Sequence, residues 1–133
     1  MAPTCPSWLS DRAKQEWKRI APELERYGLL TKMDRGALAG YCENLALCAI
    51  ATEAIRAYYK AHKKLTYEYE NKAGAVNEVP IPEIKIAREA WLLMHRFEVE
   101  FGLTPSSRTR INLPEKHSPE DFERWLNGEG DEE

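Results

Sequence analysis

The stretch from Lys32 to Lys63 most constrains what this chain can fold into. Leu38, Tyr41, Leu45, Cys48, Thr52, Ile55 and Tyr59 recur at alternating spacings of three and four, a heptad seam with one polar member. The pattern predicts one helix from about Lys32 to Lys63, roughly 45–50 Å long at 1.5 Å per residue. Leu47, Ala51, Ala54, Tyr58 and Ala61 form a second stripe on roughly the opposite side. A helix apolar on two sides has to be covered on both. One side packs on the internal core, and the other is expected to meet a neighbouring subunit through Leu47, Ala51, Ala54 and Tyr58.

The flanking elements follow from periodicity and punctuation. Leu9, Ala13, Trp17, Ile20 and Leu24 fall on one face of a helix capped by Ser10 and running to about Arg26, with Pro22 set to kink or break its last turn. Tyr27 to Thr31 forms a turn, and Thr31 with Asp34 makes a capping box with Asp in place of Glu. Leu65–Tyr69 and Ala75–Val79 alternate like the strands of a small hairpin around Asn71–Gly74. Pro80 and Pro82 open a third helix that runs to Phe101, with Ile84, Ala87, Trp91, Met94, Phe97 and Phe101 on its inner face. Ser118-Pro-Glu-Asp121 starts a short final helix. The expected fold is mainly α: a helical bundle with one long central helix, a small β-hairpin and a short C-terminal helix.

At 133 residues the chain has room for one core. Its net charge of −3 conceals a division, +3 over residues 1–112 and −6 over residues 113–133. We read 1–112 as a helical DNA-binding and oligomerisation domain and 113–133 as an acidic, partly disordered tail carrying a short docking helix. No apolar run reaches membrane-spanning length and the N-terminus lacks a signal-peptide pattern, so no membrane partner and a cytoplasmic location are expected.

The residues offer little for catalysis. Cys5, Cys42 and Cys48 form no C-x-x-C pair, and His62, His95 and His117 share no ligand spacing. Cys42 sits in an alanine-rich apolar helix, where a packed thiol outweighs a nucleophile. No metal, cofactor or enzyme activity is expected.

The basic residues carry a stronger signal. Lys14, Lys18 and Arg19, with Arg12 beside them, mark the first helix as the leading DNA contact, and Lys32 and Arg35 come next. Lys60, Lys63 and Lys64 cluster at the far end of the long helix as a possible DNA or subunit contact. The competing reading for each cluster is a solvated helix face. In the tail, Phe122, Trp125 and Leu126 fall at i, i+3 and i+4 on an acidic helix, which reads as a partner-docking face or as a cap folded onto its own domain; docking is the expectation.

Phe101-Gly-Leu-Thr-Pro-Ser-Ser-Arg-Thr-Arg-Ile111 closes one helix and opens another. Gly102 takes the left-handed closing position, Leu103 folds back, Thr104 caps and Pro105 sits at the first helical position. Arg108 and Arg110 then project guanidinium groups toward DNA or a neighbouring subunit. Together with Trp17-x-x-Ile20, Leu24, Gly28-Leu-Leu-Thr31, Asp34 and Tyr41-Cys42, this segment resembles the small subunits of tailed-phage terminases, over residues from about 7 to 112. The resemblance implies a non-enzymatic protein of the bacterial host cytoplasm that forms a homo-oligomeric ring and recognises double-stranded viral DNA for packaging. It also implies a role in regulating a large terminase subunit that carries the ATPase and nuclease. The alternatives are a small helix-turn-helix transcription regulator, dimeric on a palindromic site, and a helical adaptor that binds only protein.

Overall fold

Ser10 sets where the helical body begins. Its hydroxyl accepts the Ala13 amide at 3.3 Å, and α1 runs from Asp11 to Arg26. The computed structural model describes residues 2–104 and 119–128. After α1 come a 3₁₀ turn (Lys32–Asp34), α2 (Arg35–His62), β1 (Thr66–Glu70), β2 (Val76–Pro80), α3 (Pro82–Glu100) and α4 (Pro119–Leu126). The fold is mainly α, with the long helix, the hairpin and the short C-terminal helix that the sequence pattern describes.

Both glycine-closed corners have the same geometry. At the end of α1, Gly28 takes φ 70° and the Leu29 amide reaches back to the Leu24 carbonyl at 2.8 Å. At the end of α3, Gly102 takes φ 71° and the Leu103 amide reaches the Glu98 carbonyl at 2.8 Å. Each is the six-to-one bond that satisfies an orphan carbonyl, and each needs a residue that tolerates positive φ. The Thr31–Asp34 capping box is present, the Asp34 carboxylate accepting the Thr31 amide at 2.7 Å. The long helix differs at both ends from a uniform α-helix over 32–63. Residues 32–34 form the tighter 3₁₀ turn, and Lys63, at φ 57°, is the left-handed cap. Pro22 remains within α1 on its solvent side and does not end it.

α2 is the spine. α1 lies antiparallel to its first half, tied by the Ser10 amide to Glu43 at 2.6 Å and by Arg12 to Glu53 at 3.0 Å. α3 returns along α2 after the hairpin, whose strands pair antiparallel with Thr66 opposite Pro80 and Glu70 opposite Val76. Leu38, Ala39, Tyr41, Cys42, Ala46 and Cys48 of α2 join Ala13, Trp17, Ile20 and Leu24 of α1 and Ala90, Met94 and Phe101 in one core.

Trp91 departs from the inner face assigned to it and is 55% exposed. Ala87, Ala90 and Met94 carry the α3 contact. Trp91 lies about 100° around the helix from Ala90, on a flank turned away from that contact. There it lines a groove of about 310 Å³ with Leu45, Cys48, Thr52, Arg56 and Met94.

Candidate nucleic-acid interface

α1 sorts its cations onto two flanks. Arg12, Glu16, Arg19, Glu23 and Arg26 share one flank at helical spacing, and there charge meets charge. Arg12 pairs with Glu53 at 3.0 Å, and Arg26 with Glu23 at 3.9 Å. Glu16, only 8% exposed, accepts from Arg19 through Nε at 2.9 Å and Nη2 at 2.6 Å. The same carboxylate accepts the Tyr41 hydroxyl at 3.2 Å. The Glu16 hydrogen bond raises the Arg19 pKa against the opposing effect of burial. Burial also raises the Tyr41 pKa well above its ordinary value, the Glu16 charge adding to it. Arg19 is therefore a pre-positioned fork with two donors committed, and its side chain remains 59% exposed.

Lys14 and Lys18, one turn apart, lie on the outer flank, Lys14 half-buried and Lys18 exposed. Among the described residues neither makes an ion pair. Of the six cations assigned to DNA, these two and Lys32, exposed in the 3₁₀ turn, are held by no partner among the described residues. Arg35 spends its Nε on the Thr4 carbonyl at 2.9 Å and is otherwise exposed. Sequence spacing alone does not separate tied from untied cations. Glu16 is the residue that sequence reading missed, and its only local signal is its position three residues before Arg19.

Lys60, Lys63 and Lys64 are exposed at the far end of α2, about 40 Å from Arg35 at 1.5 Å per residue. Lys63 lies 6.0 Å from the Tyr59 ring centroid and Lys64 pairs with Glu78 at 3.5 Å. Arg108 and Arg110 lie outside the described residues, as do Pro105 and the helix expected to follow it.

The apolar stripe assigned to a subunit contact is placed differently. Leu47 is 43% exposed, but Ala51 is buried at 4%, and Tyr58 is half-buried with its hydroxyl on the Thr66 carbonyl at 2.7 Å. The two stripes of α2 stand about 120° apart, not opposite, so Ala51 and Tyr58 fall at the edge facing the interior. The strip left open comprises Leu47, Ile50, Ala54, Ala57 and Ala61, with Ile50 52% exposed.

The tail residues are also placed differently from the docking expectation. Phe122 is 1% exposed and packs edge-on against Tyr27 at 5.0 Å, while Trp125 lies 6.2 Å from the same ring. The Tyr27 hydroxyl donates to the Asp121 carbonyl at 3.3 Å. Trp125 and Leu126 border a cleft of about 210 Å³ with Arg19, Ile20, Tyr41, Glu98 and Leu103. The apolar face of α4 is thus already occupied by its own domain, because Tyr27 at the end of α1 offers an aromatic seat that no local pattern announces. The 112/113 boundary lies outside the described residues.

Burial pushes the Cys42 thiol up to about 12, which keeps it protonated and unreactive at neutral pH. Among the described residues no three His, Cys, Asp or Glu side chains are grouped to hold a metal ion, and no helix is long and apolar enough to cross a membrane.

Fold and surface together define a small helical protein with an untied basic flank on α1 and open apolar flanks along a long spine. Residues 13–118 match the phage terminase small-subunit family, and the chain belongs to that family. Comparison with curated proteins and with solved structures gave no match.

Proposed function

We propose that this protein recognises viral DNA for genome packaging as a homo-oligomeric ring in the host cytoplasm, and regulates the large subunit that carries the ATPase and nuclease. Membership of the small-subunit family carries the reading. The untied flank of α1 supports it at residue level. Lys14, Lys18 and Lys32 meet phosphates, with the fixed guanidinium of Arg19 beside them. A few exposed cations per subunit bind weakly, and repetition around a ring multiplies them through effective concentration. Leu47, Ile50 and Ala54 form the subunit contact in this reading, since an open apolar strip on a long helix favours association.

The test is fluorescence anisotropy with a labelled duplex, combined with light scattering. Binding should weaken linearly in log–log form with salt. K14E/K18E should lose about tenfold or more in affinity at low salt, and I50D should reduce the particle mass. Unchanged DNA affinity in K14E/K18E, K32E and R19E alike would sink the DNA assignment, and a stable dimer of the parent chain would sink the ring.

A further inference from the structure

We propose that α4 is an autoinhibitory latch. Seated on Tyr27, it holds acidic groups beside the basic flank of α1 and lowers DNA affinity, and unseating it raises that affinity. The inference rests on the DNA-binding reading above and concerns how that binding is regulated.

The seat is built to release. α4 has eight residues, and a helix that short is not stable alone in water, so leaving the seat and losing the helix are one event. Among its described side chains Phe122 alone is fully buried. Trp125 and Leu126 are half-buried over the cleft shared with Arg19 and Glu98, which they do not fill. Incomplete packing of this kind belongs to the low-stability end of a structure.

Its charge is placed where it matters. Glu120, Asp121 and Glu123 outweigh Arg124 on the helix, while residues 1–112 are net positive. The seat sits against the end of α1, with Arg26 5.7 Å from the Tyr27 ring centroid and Arg19 at the cleft edge. α1 is about 10–12 Å across with its side chains, close to the Debye length at 0.1 M salt. Seated carboxylates therefore lower the potential most at Arg26 and Arg19, and less at Lys18 and Lys14, which stand about 14 and 20 Å along α1 from Tyr27. Released, they no longer act at fixed short range.

Two full-length variants separate seat from charge. F122A/W125A keeps every charge and removes the seat; E120Q/D121N/E123Q keeps the aromatic seat and removes the charge. Hydrogen exchange of residues 119–128 reports seating independently of DNA. The parent should show protection there, and the aromatic variant should lose it. Both variants should bind a labelled duplex about tenfold tighter than the parent at low salt, the advantage shrinking as ionic strength rises. Should the aromatic variant misfold, the charge variant decides by itself. A parent that binds DNA and variants that bind no tighter would overturn the latch and leave the DNA reading intact. No binding by any of the three chains would overturn both.

Discussion

The two ends of α2 face opposite circumstances. Around Leu38, Tyr41 and Cys42 the spine is enclosed by α1, by the end of α3 and by the segment that carries Leu29 and Leu30. From Glu53 to His62 no residue of α2 is buried, and the hairpin attached there is exposed along nearly its whole length. Helix length explains the contrast. α1 has 16 residues and α2 has 28, roughly 24 Å against 42 Å, so α1 cannot shield the far half. The enclosed end holds the monomer together, and the open end leaves Ile50, Trp91, Leu92 and Leu93 uncovered. Stability and association are thus separated along one helix.

The largest expected effect tests that separation directly. Leu24, fully buried, should cost about 3 kcal/mol when cut to alanine, from lost transfer energy and the cavity left behind. Leu92, 65% exposed, should cost within about 0.5 kcal/mol under conditions that keep the chain monomeric. Urea denaturation of both variants checks this. Comparable losses would break the comparison, because the far half would then be contributing to the monomer's own core.

Thiol reactivity sharpens it next. Cys5 is half-buried, Cys48 lies at the edge of the open groove, and Cys42 is enclosed. With a small thiol reagent near neutral pH the order should be Cys5, then Cys48, then Cys42, with Cys42 slower than Cys5 by about two orders of magnitude, since its reaction needs an opening of the enclosed end. The sign for stability follows from the same burial. The Cys42 thiol is lifted from 9.0 to about 12, so the unfolded chain loses its proton first. This contribution is fully present below pH 9 and is lost as pH climbs toward 12. An alkaline titration of the melting temperature should show the decline, reduced in C42A. Cys42 reacting as fast as Cys5 would mean the near end is open.

How much of this was legible in the sequence depended on distance along the chain. Ser10, Gly28, Gly102 and the Thr31–Asp34 box were readable because a cap is a transaction among neighbours. The hairpin strands fell within one residue of their expected bounds for the same reason. The cation surface was not readable at that level. Arg12 is neutralised by a residue 41 positions away, and Glu16 meets a tyrosine 25 positions away. The seat of α4 spans 94 positions between Tyr27 and Asp121. Periodicity gave the faces of α2 and α3 but not which flank of each a neighbouring helix covers, and so it did not foretell that Trp91 is exposed and Ala51 buried.

The smallest effect comes from two glycines one turn apart on α2, and it locates where the enclosure begins. A Cβ built on Gly40 would stand 2.7 Å from Cζ of Phe97, too close for carbon atoms. Gly40→Ala should push the Phe97 ring aside and cost about 1–2 kcal/mol by overpacking. A Cβ on Gly36 meets nothing within 4 Å and needs no unusual backbone angle. Gly36→Ala should therefore stabilise by about 0.5 kcal/mol, because alanine leaves the unfolded chain less freedom to lose. Melting temperatures of the two variants should move in opposite directions. If both rise, Phe97 yields freely and α3 is not pinned at Gly40. If both fall, the start of α2 is covered by something beyond the single subunit, and the near end would then be an interface as well as a core.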